Sequence, residues 1–97
     1  MQRDQAIASI QSHAADYSRF GVASLRLFGS TARDEAKEDS DVDVMVEFKE
    51  SPTFRGFMGL KLFLEDEVLH RAVDLVIPED MPPVVRLYAE REAIRVA

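Results

Sequence analysis

The fold is decided by the segment Asp41-Val42-Asp43-Val44-Met45-Val46-Glu47-Phe48. Every second residue of this segment is a valine or Phe48, and the residues between them are mostly acidic. This period of two is typical of a β-strand with one buried face. The valines and Phe48 share one face, and the two aspartates share the other with Met45 and Glu47. Carboxylates two residues apart on one face lie about 6–7 Å apart and repel each other. The segment therefore predicts a strand whose aspartates either bind a cation or form a solvated outer face.

Two more β-type runs and several helical stretches surround this strand. The remaining strands are predicted at Val22–Phe28 and Ala72–Ile77, the latter ended by Pro78. Helices are predicted over Arg3–Phe20 (capped by Asp4, stopped by Gly21), Thr53–Leu69 (capped by Thr53) and Val84–Val96 (opened by Pro82-Pro83), with a short helical or irregular stretch over Thr31–Lys37. The order α-β-α-β-α-β-α predicts an α/β or α+β domain with a small sheet covered by helices.

Composition limits the classes of function. The chain has 97 residues, which allow one domain over residues 1–97, and 46% hydrophobic residues, which favour a folded core. It has no cysteine, which excludes disulfides and thiolate zinc sites. A net charge of −6 disfavours a general nucleic-acid-binding surface. Neither a signal peptide nor a membrane span is recognisable, so we expect a cytoplasmic protein.

Residues outside the aspartate strand suggest a phosphate site beside it. Gly29-Ser30 follows a predicted strand and opens a turn, where free backbone N–H groups and the Ser30 hydroxyl could hold a phosphate. Arg33 follows one turn later and either reaches a phosphate or forms a surface salt bridge with a nearby acidic residue. Asp74 is the one charged residue in a strand of apolar residues. It can join Asp41 and Asp43 if the second and third strands are neighbours; otherwise it lies on a solvent-facing edge or pairs with an arginine.

These motifs together resemble a known family. Gly29-Ser30, ten intervening residues, Asp41-Val42-Asp43 and a later Asp74 are similar to the signature of nucleotidyltransferases related to DNA polymerase β. The fuller runs Phe28–Arg33 and Asp39–Val44 resemble the minimal nucleotidyltransferases, short proteins often found as antitoxins of HEPN-domain RNase toxins. One departure is visible: Asp34 stands where the family usually has glycine, which raises the question whether this position needs a positive φ.

The resemblance implies a nucleotidyltransferase fold with a small mixed sheet, and a chemistry. Two Mg²⁺ ions would be held by Asp41, Asp43 and Asp74, which would be both the metal ligands and the catalytic residues. Gly29, Ser30 and Arg33 would bind the nucleotide. The reaction implied is transfer of a nucleoside monophosphate, AMP from ATP, to a tyrosine hydroxyl of a HEPN toxin, with no direct role for nucleic acid or membrane. A non-catalytic antitoxin of the same fold, and an acidic interaction domain without nucleotide, are the alternatives.

Two helices carry apolar residues that bear on partners. The helix Thr53–Leu69 has two apolar stripes, of which one is expected on the sheet and the other on a neighbouring helix, a second copy of the chain or a partner. Lys61 and Glu65 between them are spaced for an i,i+4 ion pair. On the last helix, one stripe holds Val84, Leu87, Tyr88, Arg91 and Ile94.

Overall fold

The fold is built on a four-stranded mixed sheet in the order β3-β2-β1-β4, in a computed structural model that describes residues 1–97. The strands are β1 (Val22–Phe28), β2 (Val42–Phe48), β3 (Val73–Val76) and β4 (Ile94–Arg95). β2 and β3 are parallel, whereas β1 pairs antiparallel with both β2 and β4. The second and third predicted strands are therefore neighbours, as the proposed gathering of the aspartates requires.

Helices fill the connections between the strands. They are α1 (Arg3–Gln11), α2 (Gly29–Ala32), α3 (Phe54–Phe63) and α4 (Pro83–Glu92). α3 runs directly into a π-helical segment, Leu64–Leu69, and 3₁₀ turns span Ala14–Phe20 and Pro78–Asp80. None of these helices combines the length and the apolar character needed to cross a bilayer. The predicted mixed α/β class is confirmed.

The core lies on one face of the sheet. Val42, Val44 and Val46 of β2 are fully buried there, as the alternation predicts, and they join Leu25 and Leu27 of β1. Residues of α1, α3 and the π-helical segment complete this cluster. The opposite face of β2 carries Asp43 and the buried Met45, so the functional residues lie on the side away from the main core.

The segment after α3 fixes the position of β3. The Thr53 side chain caps α3 by accepting a hydrogen bond from the Gly56 N–H at 3.0 Å, as predicted. Further along, the predicted Lys61–Glu65 ion pair forms at 2.9 Å. Glu65 Oε2 also accepts the Val73 N–H at 2.8 Å, and this hydrogen bond, followed by that from Lys61, lowers the pKa of Glu65. The carboxylate thereby ties the first residue of β3 to the helix and sets the position of the strand.

The predicted helix over Arg3–Phe20 is wrong as a single element. α1 ends at Gln11, and a 3₁₀ segment follows. The break has a local cause, because side chains donate hydrogen bonds to carbonyl oxygens of the last turn. Tyr17 OH donates to Ile10 O at 2.6 Å, and Ser12 Oγ donates to Ser9 O at 2.7 Å. The predicted cap is also wrong, since Gln2 and not Asp4 is the N-cap residue. Gly21 stops the segment with φ 73°, as predicted.

The predicted last helix is too long. α4 ends at Glu92, and Ile94 and Arg95 form β4 opposite Leu27 and Arg26 of β1. Because the outer edge of β1 would otherwise leave backbone groups unpaired, tertiary pairing overrides the helical pattern there. Val96 beyond it is buried, and its N–H donates to Leu25 O at 2.9 Å.

The predicted apolar stripe of the last helix faces solvent. Val84, Leu87 and Tyr88 are 67%, 50% and 63% exposed, whereas Ala89 on another face of α4 is buried. α4 therefore packs on the sheet through its small residue and leaves its larger apolar side chains uncovered.

Candidate active site

Asp43 and Asp74 are direct neighbours across the sheet. They are register partners in the parallel pair of β2 and β3, so their side chains leave the same face from strands about 4.8 Å apart. The flanking residues Val73 and Leu75 are buried on the opposite face. No ion pair joins Asp74 to any arginine, which removes the alternative in which Asp74 is neutralised by a basic side chain. Asp74 is nevertheless solvent-exposed on the edge strand β3, as the other alternative expected. Asp41 is exposed just before β2 and precedes Asp43 by two residues.

The carboxylate of Asp43 is destabilised in its charged form. Burial, followed by the negative charges of Asp74 and Asp41, raises the pKa of Asp43 from 3.8 to about 6. The positive charge of Arg33 acts in the opposite direction but does not cancel these effects. A partly buried carboxyl group held among like charges is a candidate for a functional site, because strongly perturbed pKa values cluster at such sites.

Gly29 makes room for Asp43. It directly follows Phe28, the β1 residue paired with Asp43, and has a φ of 70°. A Cβ at Gly29 would overlap Oδ2 of Asp43. Both the left-handed backbone and the close approach of the carboxylate therefore require glycine. The sequence assigned this glycine to a phosphate cradle, whereas the structure shows that it also has a steric role.

Glu92 is a site residue that the sequence analysis missed. Its Oε1 accepts the Gly29 N–H at 2.9 Å, and its Oε2 accepts a hydrogen bond from Arg33 NH1 at 2.7 Å. Glu92 lies at the end of α4, and no motif in the sequence marks it. The contact depends on β4, which returns the chain to β1 beside Gly29 and which the sequence did not predict.

Arg33 lies on the turn after β1 and forms ion pairs with two glutamates. Its guanidinium contacts Glu92 at 2.7 Å and Glu35 at 3.2 Å, and these hydrogen bonds raise the pKa of Arg33. The sequence alternative of a salt bridge with Glu35 is thus present, in addition to the contact with Glu92. Ser30, the other predicted nucleotide-binding residue, is half-buried in the same turn.

Asp34 adopts the positive φ that the glycine of the related motif suggested. Its φ is 60°, and its Oδ1 accepts the Arg3 N–H at 3.0 Å. Aspartate tolerates this region better than most residues, and the hydrogen bond gives its side chain a local use. The loop therefore keeps its shape despite the missing glycine.

The acidic side chains do not form a complete metal-binding site by themselves. No three histidine or acidic side chains of the chain converge closely enough to hold an ion by themselves. The oxygen donors of Asp41, Asp43 and Asp74 nevertheless suit Mg²⁺, which is usually bound by one or two carboxylates together with waters and substrate phosphates. Burial is the main cause of the raised pKa of Asp43, and the repulsion from Asp74 and Asp41 that adds to it would be relieved by a cation. The residues present therefore fit Mg²⁺ that is bound together with a phosphate ligand.

Comparisons with known proteins agree with this arrangement. Residues 13–96 match the family described as nucleotidyltransferase domain. The chain is 42% identical over 78 residues to the protein adenylyltransferase MntA of Thermococcus cleftensis, covering 80% of this chain and 78% of that protein. A solved structure described as a minimal nucleotidyltransferase superposes with a TM-score of 0.82 at 38% identity, covering 97% of this chain and 95% of the other. A structure of a toxin–antitoxin with AMP-PNP shares the fold with a TM-score of 0.71 at 19% identity, over 90% of this chain and 72% of that one. The predicted family is confirmed: this chain belongs to the nucleotidyltransferase domain family.

Proposed function

We propose that this protein is an Mg²⁺-dependent protein adenylyltransferase that transfers AMP from ATP to a hydroxyl group of a partner protein, a HEPN-domain toxin to which it is the antitoxin. The observation that carries the proposal is the register of Asp43 and Asp74 beside Gly29. It brings two carboxylates from different strands next to a glycine-serine turn, the arrangement suited to a nucleoside triphosphate and its metal ions.

The relatives support the choice of nucleotide and acceptor. The Thermococcus cleftensis relative is named a protein adenylyltransferase, and the toxin–antitoxin structure of the same fold was solved with the ATP analogue AMP-PNP.

The chain's own residues would divide the work as follows. Asp41 and Asp43 would hold Mg²⁺ with the triphosphate, while the Ser30 hydroxyl and Arg33 would contact phosphate oxygens. Asp74, on the neighbouring strand, would ligate a metal or accept the proton of the attacking hydroxyl. The hydroxyl oxygen bonds to the α-phosphorus, the bond from that phosphorus to the bridging oxygen breaks, and pyrophosphate leaves with its electron pair. When bound, Mg²⁺ would neutralise phosphate charge and increase the acidity of the hydroxyl.

The proposal is tested by following which phosphate of ATP is transferred. The purified protein is incubated with Mg²⁺, the product of the neighbouring gene, and ATP labelled at either the α- or the γ-phosphate. We expect label on the partner from α-labelled ATP alone, and none with the Asp74→Asn variant. Transfer of the γ-label, or equal labelling by the variant, would contradict the proposal. If the protein inhibits the partner's toxicity while the partner remains unlabelled, it is instead an antitoxin that acts by binding alone.

A further inference from the structure

Glu92 bridges two residues that the sequence assigns to the nucleotide. One carboxylate oxygen accepts the backbone N–H of Gly29 at 2.9 Å, and the other accepts the guanidinium of Arg33 at 2.7 Å. The two contacts join the beginning and the end of the turn that follows β1. The Gly29 contact is partly shielded from water, whereas the contact with Arg33, whose side chain is 46% exposed, is open to solvent; both are charge-assisted hydrogen bonds.

The position of Glu92 is itself fixed by the fold. It is the last residue of α4, and two residues later Ile94 pairs with Leu27 of β1. Helix and strand therefore hold the backbone of Glu92 from both sides. Its carboxylate is in turn oriented by the hydrogen bonds to Gly29 and Arg33, so Glu92 can act as a support for the turn.

One of the supported groups, Gly29, lies directly against Asp43, whose carboxylate fills the space that a side chain at Gly29 would occupy. The charge of Arg33 favours the ionised form of Asp43, whereas the charge of Glu92 itself disfavours it. A shift of the Gly29 backbone or of Arg33 would therefore alter the surroundings of a proposed metal ligand. Because the Gly29 N–H already donates to Glu92, it is not free to bind a phosphate. Ser30 and Arg33 are then the residues of this turn that can contact the triphosphate.

From this geometry we propose that Glu92 is a positioning residue that clamps the Gly29–Arg33 turn in the shape that binds the triphosphate. The proposal rests on the proposed function for the identity of the ligand, Mg²⁺-ATP. Glu92 acts through Gly29 and Arg33 and makes no contact with ATP in this account. Because the clamp is already closed without nucleotide, it preorganises the turn and lowers the free energy required to order it on binding.

Two variants and one control separate the clamp from a general effect on stability. Glu92→Ala removes both contacts, whereas Glu92→Gln keeps an oxygen for the Gly29 N–H and removes the charge that holds Arg33. Glu90→Ala is the matched control, since Glu90 lies on the same helix and pairs with Arg26 and Arg86 outside the turn. Binding of Mg²⁺-ATP is measured by calorimetry, and exchange of the Gly29 amide hydrogen is measured by NMR without nucleotide.

We expect Glu92→Ala to weaken Mg²⁺-ATP binding about tenfold, the effect of losing charge-assisted hydrogen bonds. Glu92→Gln should fall between this variant and the wild type, and Glu90→Ala should stay within about twofold. The Gly29 amide should exchange faster in Glu92→Ala but not in Glu90→Ala. Equal or tighter binding by Glu92→Ala would overturn the proposal, since it would mean that Glu92 competes with the triphosphate. Unchanged exchange at Gly29 would also overturn it. If the wild type failed to bind Mg²⁺-ATP, the proposed function would fail, while the exchange rate would still decide whether the clamp exists.

Discussion

The raised pKa of Asp43 leads to a quantitative prediction: replacing this residue should stabilise the metal-free protein while abolishing its activity. In the native state the pKa of Asp43 is about 6, compared with 3.8 for an unhindered aspartate. Each pKa unit corresponds to about 1.4 kcal/mol, so the ionised carboxylate would destabilise the folded state by about 3 kcal/mol if it were fully shielded. Because the side chain is only partly buried and water screens its neighbours, we expect about 1 kcal/mol.

The sign follows from proton linkage. Between about pH 4 and pH 6 the native protein holds a proton on Asp43 that the unfolded chain has lost, so stability decreases as pH rises through this window. Above pH 6 the penalty is complete, and Asp43→Asn removes it. The variant should therefore unfold about 4 to 8 °C higher than the wild type at pH 7.5 in EDTA. Below about pH 3 the difference should disappear, because Asp43 is then protonated in both states.

Thermal unfolding monitored by circular dichroism at several pH values tests this reasoning. Asp66→Asn serves as the control, since Asp66 is an exposed carboxylate outside the site. A second series with Mg²⁺-ATP should stabilise the wild type and not Asp43→Asn, because only the wild type keeps the proposed ligand. The reasoning would be refuted if Asp43→Asn were no more stable than the wild type at pH 7.5, or if its advantage persisted at about pH 3.

Three further predictions concern the turn and the metal. Gly29→Ala should destabilise the fold by at least about 1 to 2 kcal/mol in urea titrations and abolish transfer, because φ is positive and the new Cβ displaces Asp43; Gly21→Ala, with φ 73° but open space, should keep its activity. Asp34→Ala should cost about 1 to 2 kcal/mol in the same titration, since alanine tolerates φ 60° poorly and loses the bond to Arg3; unchanged stability would contradict this. Removal of divalent cations by EDTA should abolish labelling of the partner, and addition of Mg²⁺ should restore it; activity that survives EDTA would exclude the metal assignment.

The strands near the site could be predicted from the sequence because their signals are local. The alternation over Asp41–Phe48 gives both the strand and its buried face, and the apolar run around Asp74 gives the next strand. β1 is found at the predicted residues, Val22–Phe28. The sequence could bring Asp74 together with Asp41 and Asp43 only on the condition that β2 and β3 are neighbours. In the structure these two strands are paired.

Features that depend on tertiary pairing could not be predicted in this way. The residues Ile94–Arg95 continue a helical pattern, yet they form β4 because the edge of β1 offers backbone partners. Glu92 was missed for the same reason, since its contact with Gly29 exists only after β4 has returned the chain to β1. The sequence identified the apolar stripe of α4 but not its exposure, because periodicity does not show whether another element covers an apolar face.

If carboxylates from two neighbouring strands hold the metal ions for transfer of AMP to a partner protein, the mass of that partner must increase. We would measure the intact mass of the product of the neighbouring gene after incubation with this protein, ATP and Mg²⁺. We expect an increase of one or more AMP groups, lost in Asp43→Asn and in Asp74→Asn and retained in Asp66→Asn. A partner of unchanged mass, or the same increase with Asp74→Asn, would refute this mechanism.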